Sequence, residues 1–231
     1  MSLPTKVCAN HQPNFFPWLG YFDKIDRADV FVFLNNVQFV QRSWTSRVKV
    51  EINQAPQWLT CHVKGSRKPI KDIEISDDHS WRESALRTLQ MNYAKCAGFS
   101  KGMEFLAELI LSPVTNLSEF NINCITRVSE ALGLKCEFIR QTELNTQLDS
   151  THLMIEICKK TGCPAYLNGG GADGYLEPDL FSNSGVELIQ QNFQHPQYGI
   201  EANMIPGLSI IDFLMKTEDW RNEWKMIRTL R

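Results

Sequence analysis

Apolar positions along this chain recur with two periods, and the switches between them mark out the elements. The apolar run Val7-Cys8-Ala9 predicts the end of a first strand, and Asp29–Leu34 predicts a second. Between them, about Trp18 to Arg27 reads as a helix. Val48–Ile52 and part of Trp58–Val63 alternate apolar with charged or polar residues around Asn53-Gln54-Ala55-Pro56, the pattern of an antiparallel hairpin. Ile70–Ile75 is expected to add a short strand. From Ser80 to Lys95 the apolar residues Trp81, Ala85, Leu86, Leu89 and Tyr93 fall at helical spacing, after the capping residues Asp77 and Asp78. Further helices are expected at Met103–Leu111, Leu117–Leu132 before Gly133, Ser150–Thr161 before Gly162, Pro178–Ser182, Ser209–Met215 and Arg221–Thr229. Strands are expected at Lys135–Ile139, Ala165–Leu167 and Val186–Gln190. Strands alternating with helices at both ends of the chain predict an α/β protein, with a mainly parallel sheet flanked by helices. The expectation is a single domain over residues 1–231, with an inserted hairpin and helical portion at about 40–115.

Three polar segments follow strand ends, where a parallel sheet places its ligands. The first is His11–Lys24. Pro13 and Pro17 exclude regular helix from its first half. It carries His11, Gln12, Trp18, Tyr21 and Lys24, an unusual density of rings and polar groups for a mere connection. The second, Asn35–Arg47, offers Asn36, Gln38, Trp44 and the pair Arg42 and Arg47, whose forked guanidinium groups suit phosphate or carboxylate. The third, Asn168–Tyr175, contains Asn168, Gly169, Gly170, Gly171 and Tyr175; its glycines let backbone N–H groups approach an anion. It lacks the Gly-Lys-Ser/Thr ending of a P-loop and is not a dinucleotide fingerprint. The structural alternative is a tight strand-to-helix turn.

His11 is the candidate catalytic residue, as a general acid or base or as a donor to a phosphate. His195, in the ring-bearing turn His195-Pro196-Gln197-Tyr198, joins the binding set. His62, His79 and His152 read as structural, and Trp81, Trp220 and Trp224 as core or interface anchors. The three segments are expected to meet around one pocket.

Charge and cysteine narrow the classes. With 24 basic and 26 acidic residues the formal net charge is -2, so there is no basic field for nucleic acid. No apolar run approaches the roughly 20 residues of a membrane span, and the N-terminus lacks the features of a signal peptide, so a cytoplasmic protein is expected. The seven cysteines are odd in number and scattered, which predicts neither a disulfide framework nor a structural metal. Most of them read as small buried apolar residues.

The landmarks His11-Gln12-Pro13 with Pro17-Trp18-Leu19-Gly20-Tyr21, Val37-Gln38-Phe39 with Arg42-Ser43-Trp44 and Arg47, Trp58-Leu59-Thr60, Ile157–Gly162, Tyr166-Leu167-Asn168-Gly169 and Leu208–Leu214 run nearly end to end. Together they resemble the WbqC-like proteins of bacteria. Two stretches depart from that pattern: Gln197-Tyr198-Gly199 stands where the family tends to have Tyr-Pro-Gln, and Met215-Lys216-Thr217-Glu218 where it often has Phe-Asn-x-Gly. The resemblance implies kinship with surface-polysaccharide and O-antigen gene sets, among enzymes that handle amino sugars attached to nucleotides. The opening strand, His-bearing loop, helix and Asp-initiated strand also resemble nucleotidylyl-transferase-like folds, which use two histidines where this loop has His11 alone.

The expected function is a transferase of surface-polysaccharide biosynthesis that modifies an amino sugar with an acyl or aminoacyl group. Its partner would be a phosphorylated small molecule, a nucleotide or nucleotide sugar. The sequence names no cofactor. A non-catalytic module that binds a nucleotide sugar or organises a biosynthetic complex is the competing expectation.

Overall fold

The computed structural model describes residues 5–76, 80–170, 176–199 and 205–229. The chain forms two units, the first from residues 1–12, 20–36 and 134–193 and the second from 13–19, 37–133 and 194–231.

The first unit is a parallel α/β sheet. Its strands are β1 (Val7–His11), β2 (Val30–Phe33), β7 (Glu137–Arg140), β8 (Ala165–Asn168) and β9 (Glu187–Gln190), in the spatial order β7-β2-β1-β8-β9. Each neighbouring pair is parallel. The expected α/β class with a mainly parallel sheet flanked by helices is thus present. Helices α5 (Ser150–Thr161) and α6 (Pro178–Asn183) cover one face, where Cys8, Val30, Val32, Ile157, Cys158, Tyr166 and Phe181 form a buried cluster. Alternation along β2 turns Phe31 and Phe33 the other way. Helix α1 (Leu19–Asp26) sets Tyr21 against Phe31 there, with ring centroids 5.3 Å apart. A sheet covered on both faces needs apolar residues at every position, so β2 reads Val-Phe-Val-Phe without polar alternation.

From β1 the chain builds outward through β2 to β7, then crosses to the opposite side of β1 for β8 and β9. The winding direction therefore reverses between β1 and β8. At such a reversal the two connections leave in opposite directions, and a crevice opens outside the carboxyl ends of the strands.

The second unit holds a hairpin of β3 (Arg47–Ile52) and β4 (Ala55–Thr60), a short pair β5 (Val63–Lys64) and β6 (Glu74–Ile75), and five helices among its described residues: α2 (Ser80–Tyr93), α3 (Phe99–Ile110), α4 (Leu117–Leu132), α7 (Ile210–Lys216) and α8 (Trp220–Thr229). The hairpin loop is two residues rather than four. Asn53 and Gln54 take φ of 53° and 60°, the left-handed pair that matches strand twist, and Ala55 and Pro56 enter β4. Pro56 is tolerated because β4 has a partner on one side only. The strand expected at Ile70–Ile75 is a 3-10 turn over Ile70–Asp72 followed by β6. Helix α4 has the expected bounds. The Asn116 side chain accepts from Glu119 N at its start, and Gly133 takes φ 77° at its end. The expected caps Asp77 and Asp78 lie outside the described residues. Trp81, Trp220 and Trp224 are buried as expected.

All seven cysteines are free, and Cys8, Cys61, Cys124, Cys158 and Cys163 are buried. Among the described residues no helix is long and apolar enough to cross a membrane.

Helices α3 and α7 approach so closely that a β-carbon at Gly98 would collide with Thr217 O and lie 2.7 Å from Leu214 O. These are backbone atoms and cannot swing aside. Gly98→Ala is expected to destabilise the protein by about 1–3 kcal/mol, read as a lower denaturation midpoint.

Candidate functional site at the carboxyl edge of the parallel sheet

Strand β1 is apolar until Asn10, and the change marks the site. Asn10 is 3% exposed. Its Oδ1 accepts from the Tyr166 hydroxyl at 3.2 Å, and its backbone oxygen accepts from Lys24 Nζ at 2.9 Å. Its Nδ2 is buried with no hydrogen-bond partner. A buried amide N–H left unsatisfied costs about 1–3 kcal/mol, so such a group points to a missing acceptor.

Lys24 comes from α1. Its 5% exposure is far below that of a lysine serving only a helix dipole. The ammonium lies 5.8 Å from the Tyr166 ring centroid. Among the described residues no carboxylate pairs with it. Burial lowers its pKa to about 8. The ammonium is therefore still mostly protonated at neutral pH, but poorly compensated.

His11 ends β1, half-buried, with its ring 4.9 Å from that of Tyr21. Its Nδ1 lies 3.1 Å from Gln12 O. A carbonyl can only accept, so Nδ1 carries the proton and Nε2 keeps its lone pair. Burial, then the positive charge of Lys24, lowers the His11 pKa to about 4. At neutral pH the ring is neutral, with Nε2 as an acceptor. Tyr21, at 2% exposure, offers no open face; its hydroxyl donates to Gln12 O at 2.9 Å. It positions His11 and Gln12 instead.

The loop after β8 reaches the same place. Asn168 is buried, its Nδ2 donating to Gln190 Oε1 at 2.9 Å. A β-carbon on Gly169 would lie 3.0 Å from Gln191 Oε1 and 3.5 Å from Lys24 Nζ. The backbone at Gly169 thus sits close against the ends of the Gln191 and Lys24 side chains. Gln191, 8% exposed, donates from Nε2 to Gly20 O and to Asp23 Oδ2, both at 2.7 Å. Gly170 is exposed; Gly171 and Tyr175 lie outside the described residues. Asn36, after β2, is exposed, and its N–H donates to Gln141 Oε1 at 3.3 Å.

Segment His11–Lys24 is thus divided. Phe15 and Phe16 are core residues of the second unit, with the Phe15 ring 6.2 Å from those of both Trp81 and Phe120. Asn121 Nδ2 donates at 2.8 Å to both Pro13 O and Thr45 O and fixes this segment. Much of the loop's ring area therefore serves packing. Trp18 stays 39% exposed and stacks on His195 at 6.4 Å, 20° between planes. Trp44 is 48% exposed, Arg42 is exposed with φ 57°, and Arg47 lies over the Trp58 ring at 3.9 Å. Gln38 is exposed and bridges to Pro69. These residues belong to the second unit.

That unit has its own buried polar cluster. The hydroxyls of Tyr93 and Tyr198 donate to Asp212 Oδ1 and Oδ2 at 2.9 and 2.6 Å, and Lys216 Nζ lies 2.7 Å from Glu51 and 3.4 Å from Asp212. Burial raises the Asp212 pKa, while the tyrosines and Lys216 oppose the shift. Tyr198 and Lys216 fall in the two stretches that depart from the family pattern.

The sequence pattern of the WbqC-like protein family matches residues 12–222. The chain belongs to this family. The match begins at Gln12, at the carboxyl edge of β1, and extends into α8. The uncharacterized protein Rv1507c of Mycobacterium tuberculosis is a relative of this WbqC-like chain, 26% identical over 215 residues that cover 90% of this chain and 93% of the relative. No solved structure matches at a significant level.

Asn10, Gln191 and Tyr166 were not among the candidate site residues read from sequence, although Tyr166 stands in one of the family landmarks. Asn10 was visible as a polar break in an apolar strand. Gln191 follows a strand end by the same rule that flagged the other loops.

Two outcomes follow from the titrating pair. For Lys24 the unfolded chain binds more protons between about pH 8 and its ordinary 10.5, so its burial penalty is full below pH 8 and vanishes above 10.5. Lys24→Met is expected to unfold no more easily than wild type at pH 7, and by up to about 3 kcal/mol less easily. For His11 the unfolded chain binds more protons between 4 and 6.5, so stability falls as pH drops through that window. His11→Gln is expected to flatten this part of the stability–pH curve, measured by urea denaturation from pH 4 to 7.

Proposed function

We propose that the carboxyl edge of the parallel sheet binds the phosphates of a nucleotide or nucleotide sugar. The protein would then serve as a transferase of surface-polysaccharide biosynthesis in the cytoplasm, modifying an amino sugar with an acyl or aminoacyl group. The observation that carries the binding step is the Lys24 ammonium, buried at the winding reversal beside Gly169 and the unpartnered Asn10 amide. An anion placed there would receive a charge-assisted hydrogen bond from Lys24 and a hydrogen bond from Asn10 Nδ2, and both buried groups would lose their penalty. Family membership supports the polysaccharide setting.

In this reading the His11 Nε2 lone pair accepts a proton from an acceptor amine or hydroxyl. Lys24 meanwhile holds negative charge on the phosphate-bearing partner. A second reading, a non-catalytic module that binds a nucleotide sugar, is favoured by the basicity of His11. A pKa of about 4 makes a weak base at neutral pH, because the ideal catalytic pKa lies near the working pH.

Calorimetric titration with nucleotides and nucleotide sugars tests the binding step. Wild type is expected to bind, Lys24→Met to lose at least about tenfold in affinity, some 1.4 kcal/mol, and His11→Ala to weaken as well. Absence of binding to any phosphorylated ligand, or binding that survives both substitutions intact, would remove the site. Binding without product from any acyl or aminoacyl donor would select the module over the transferase.

A further inference from the structure

Within the second unit, exposed aromatic area collects on the β3–β4 hairpin. Trp44 and Trp58 are 48% and 41% exposed, with ring centroids 5.1 Å apart and planes at 50°. Strand alternation buries Val48 and Val50 and turns Arg47 and Lys49 to the face that bears Trp58, which pairs directly with Lys49. The Arg47 guanidinium carbon lies 3.9 Å and Lys49 Nζ 5.3 Å from the Trp58 ring centroid. Arg47 Nε is buried without a hydrogen-bond partner. Glu51, next along the same face, is held by Lys216. Among the described residues no carboxylate pairs with Arg47 or Lys49. The surroundings are polar: Gln41, Arg42, Gln57 and Thr60 are all exposed.

We propose that this face binds an acidic oligosaccharide, with a pyranose ring laid on Trp44 and a carboxylate of the sugar held by Lys49 and by Arg47, whose guanidinium is backed by the Trp58 ring. The C–H face of a pyranose is apolar and slightly positive, complementary to the negative face of an indole ring. The unpaired cations supply the charge complement to a carboxylate. An open face suits an extended ligand, since small molecules take concave sites that bury most of their surface. Two other extended ligands fit less well. A polynucleotide is disfavoured by the formal net charge of -2. A protein partner is disfavoured because lysine is depleted at interface centres, whereas here Lys49 sits at the middle of the aromatic face. The inference stands on the hairpin alone and does not rest on the phosphate site.

The test uses the full chain, with oligogalacturonate as the acidic probe and a malto-oligosaccharide of equal length as the neutral one, followed by tryptophan fluorescence and calorimetry. Oligogalacturonate is expected to change tryptophan emission and to bind at least about tenfold more tightly than the neutral chain, less so at high salt. Trp44→Ala and Arg47→Gln are each expected to weaken it by about tenfold or more, with melting curves showing both variants folded. Trp44→Phe, which keeps a ring, is expected to bind within a few-fold of wild type. The proposal is overturned by no binding, by equal binding of the neutral chain, or by binding that both variants retain. Tighter binding of oligodeoxythymidine would also overturn it, as would a wild-type dimer that Trp44→Ala dissolves.

Discussion

The central strand β1 hydrogen-bonds to β2 on one side and to β8 on the other, and the rest of the parallel unit follows from that constraint. A strand paired on both edges and covered on both faces has no outlet for polar groups except at its ends. Cys8 and Ala9 fill its buried part, and polarity begins at Asn10 and His11, where the sheet stops. Because the chain reverses its winding beside this strand, the polar end lies where parallel sheets place their ligand crevice. Asn10 then has two duties in one residue, its oxygens receiving Lys24 and Tyr166, while its amide Nδ2 is buried with no hydrogen-bond partner.

Lys24 places a stability cost at this edge. A buried ammonium with one carbonyl acceptor is an expensive element of an unliganded protein, and its lowered pKa measures part of that expense. Burial, and after it the charge of Lys24, keeps the neighbouring His11 neutral. The two residues act as a coupled pair: an anion that compensates Lys24 would relieve His11 as well and raise its basicity. Ligand charge and the strength of the base are thereby linked through one contact network.

In the second unit the polar interior is organised differently. Asp212 is satisfied by two tyrosine hydroxyls and approached by Lys216, which also meets Glu51. Lys216 shares α7 with Asp212, and the other partners come from separate stretches, so the cluster ties the hairpin, α2, α7 and the His195–Tyr198 turn into one packing arrangement. Its two departures from the family pattern, Tyr198 and Lys216, are thus partners of a single carboxylate.

By itself the sequence determined most of the elements, because periodicity and capping are local. Leu117–Leu132 and Ser150–Thr161 have the bounds read from their apolar spacing and terminal glycines. It also identified the strand-end loops and the family, since those signals lie in contiguous residues. The short elements were less legible: the hairpin turn and the Ile70–Asp72 turn depend on backbone dihedrals that apolar pattern does not encode. Only the tertiary structure decided which polar residues are buried. Lys24 looks like an ordinary helix-end lysine until α1 is laid against β1. Phe15 and Phe16 look like ligand-stacking rings until Phe120 and Trp81 close on them. Burial depends on residues distant in the chain, and the strand order that places Gly169 beside Lys24 is likewise set by long-range pairing, which no local pattern can carry.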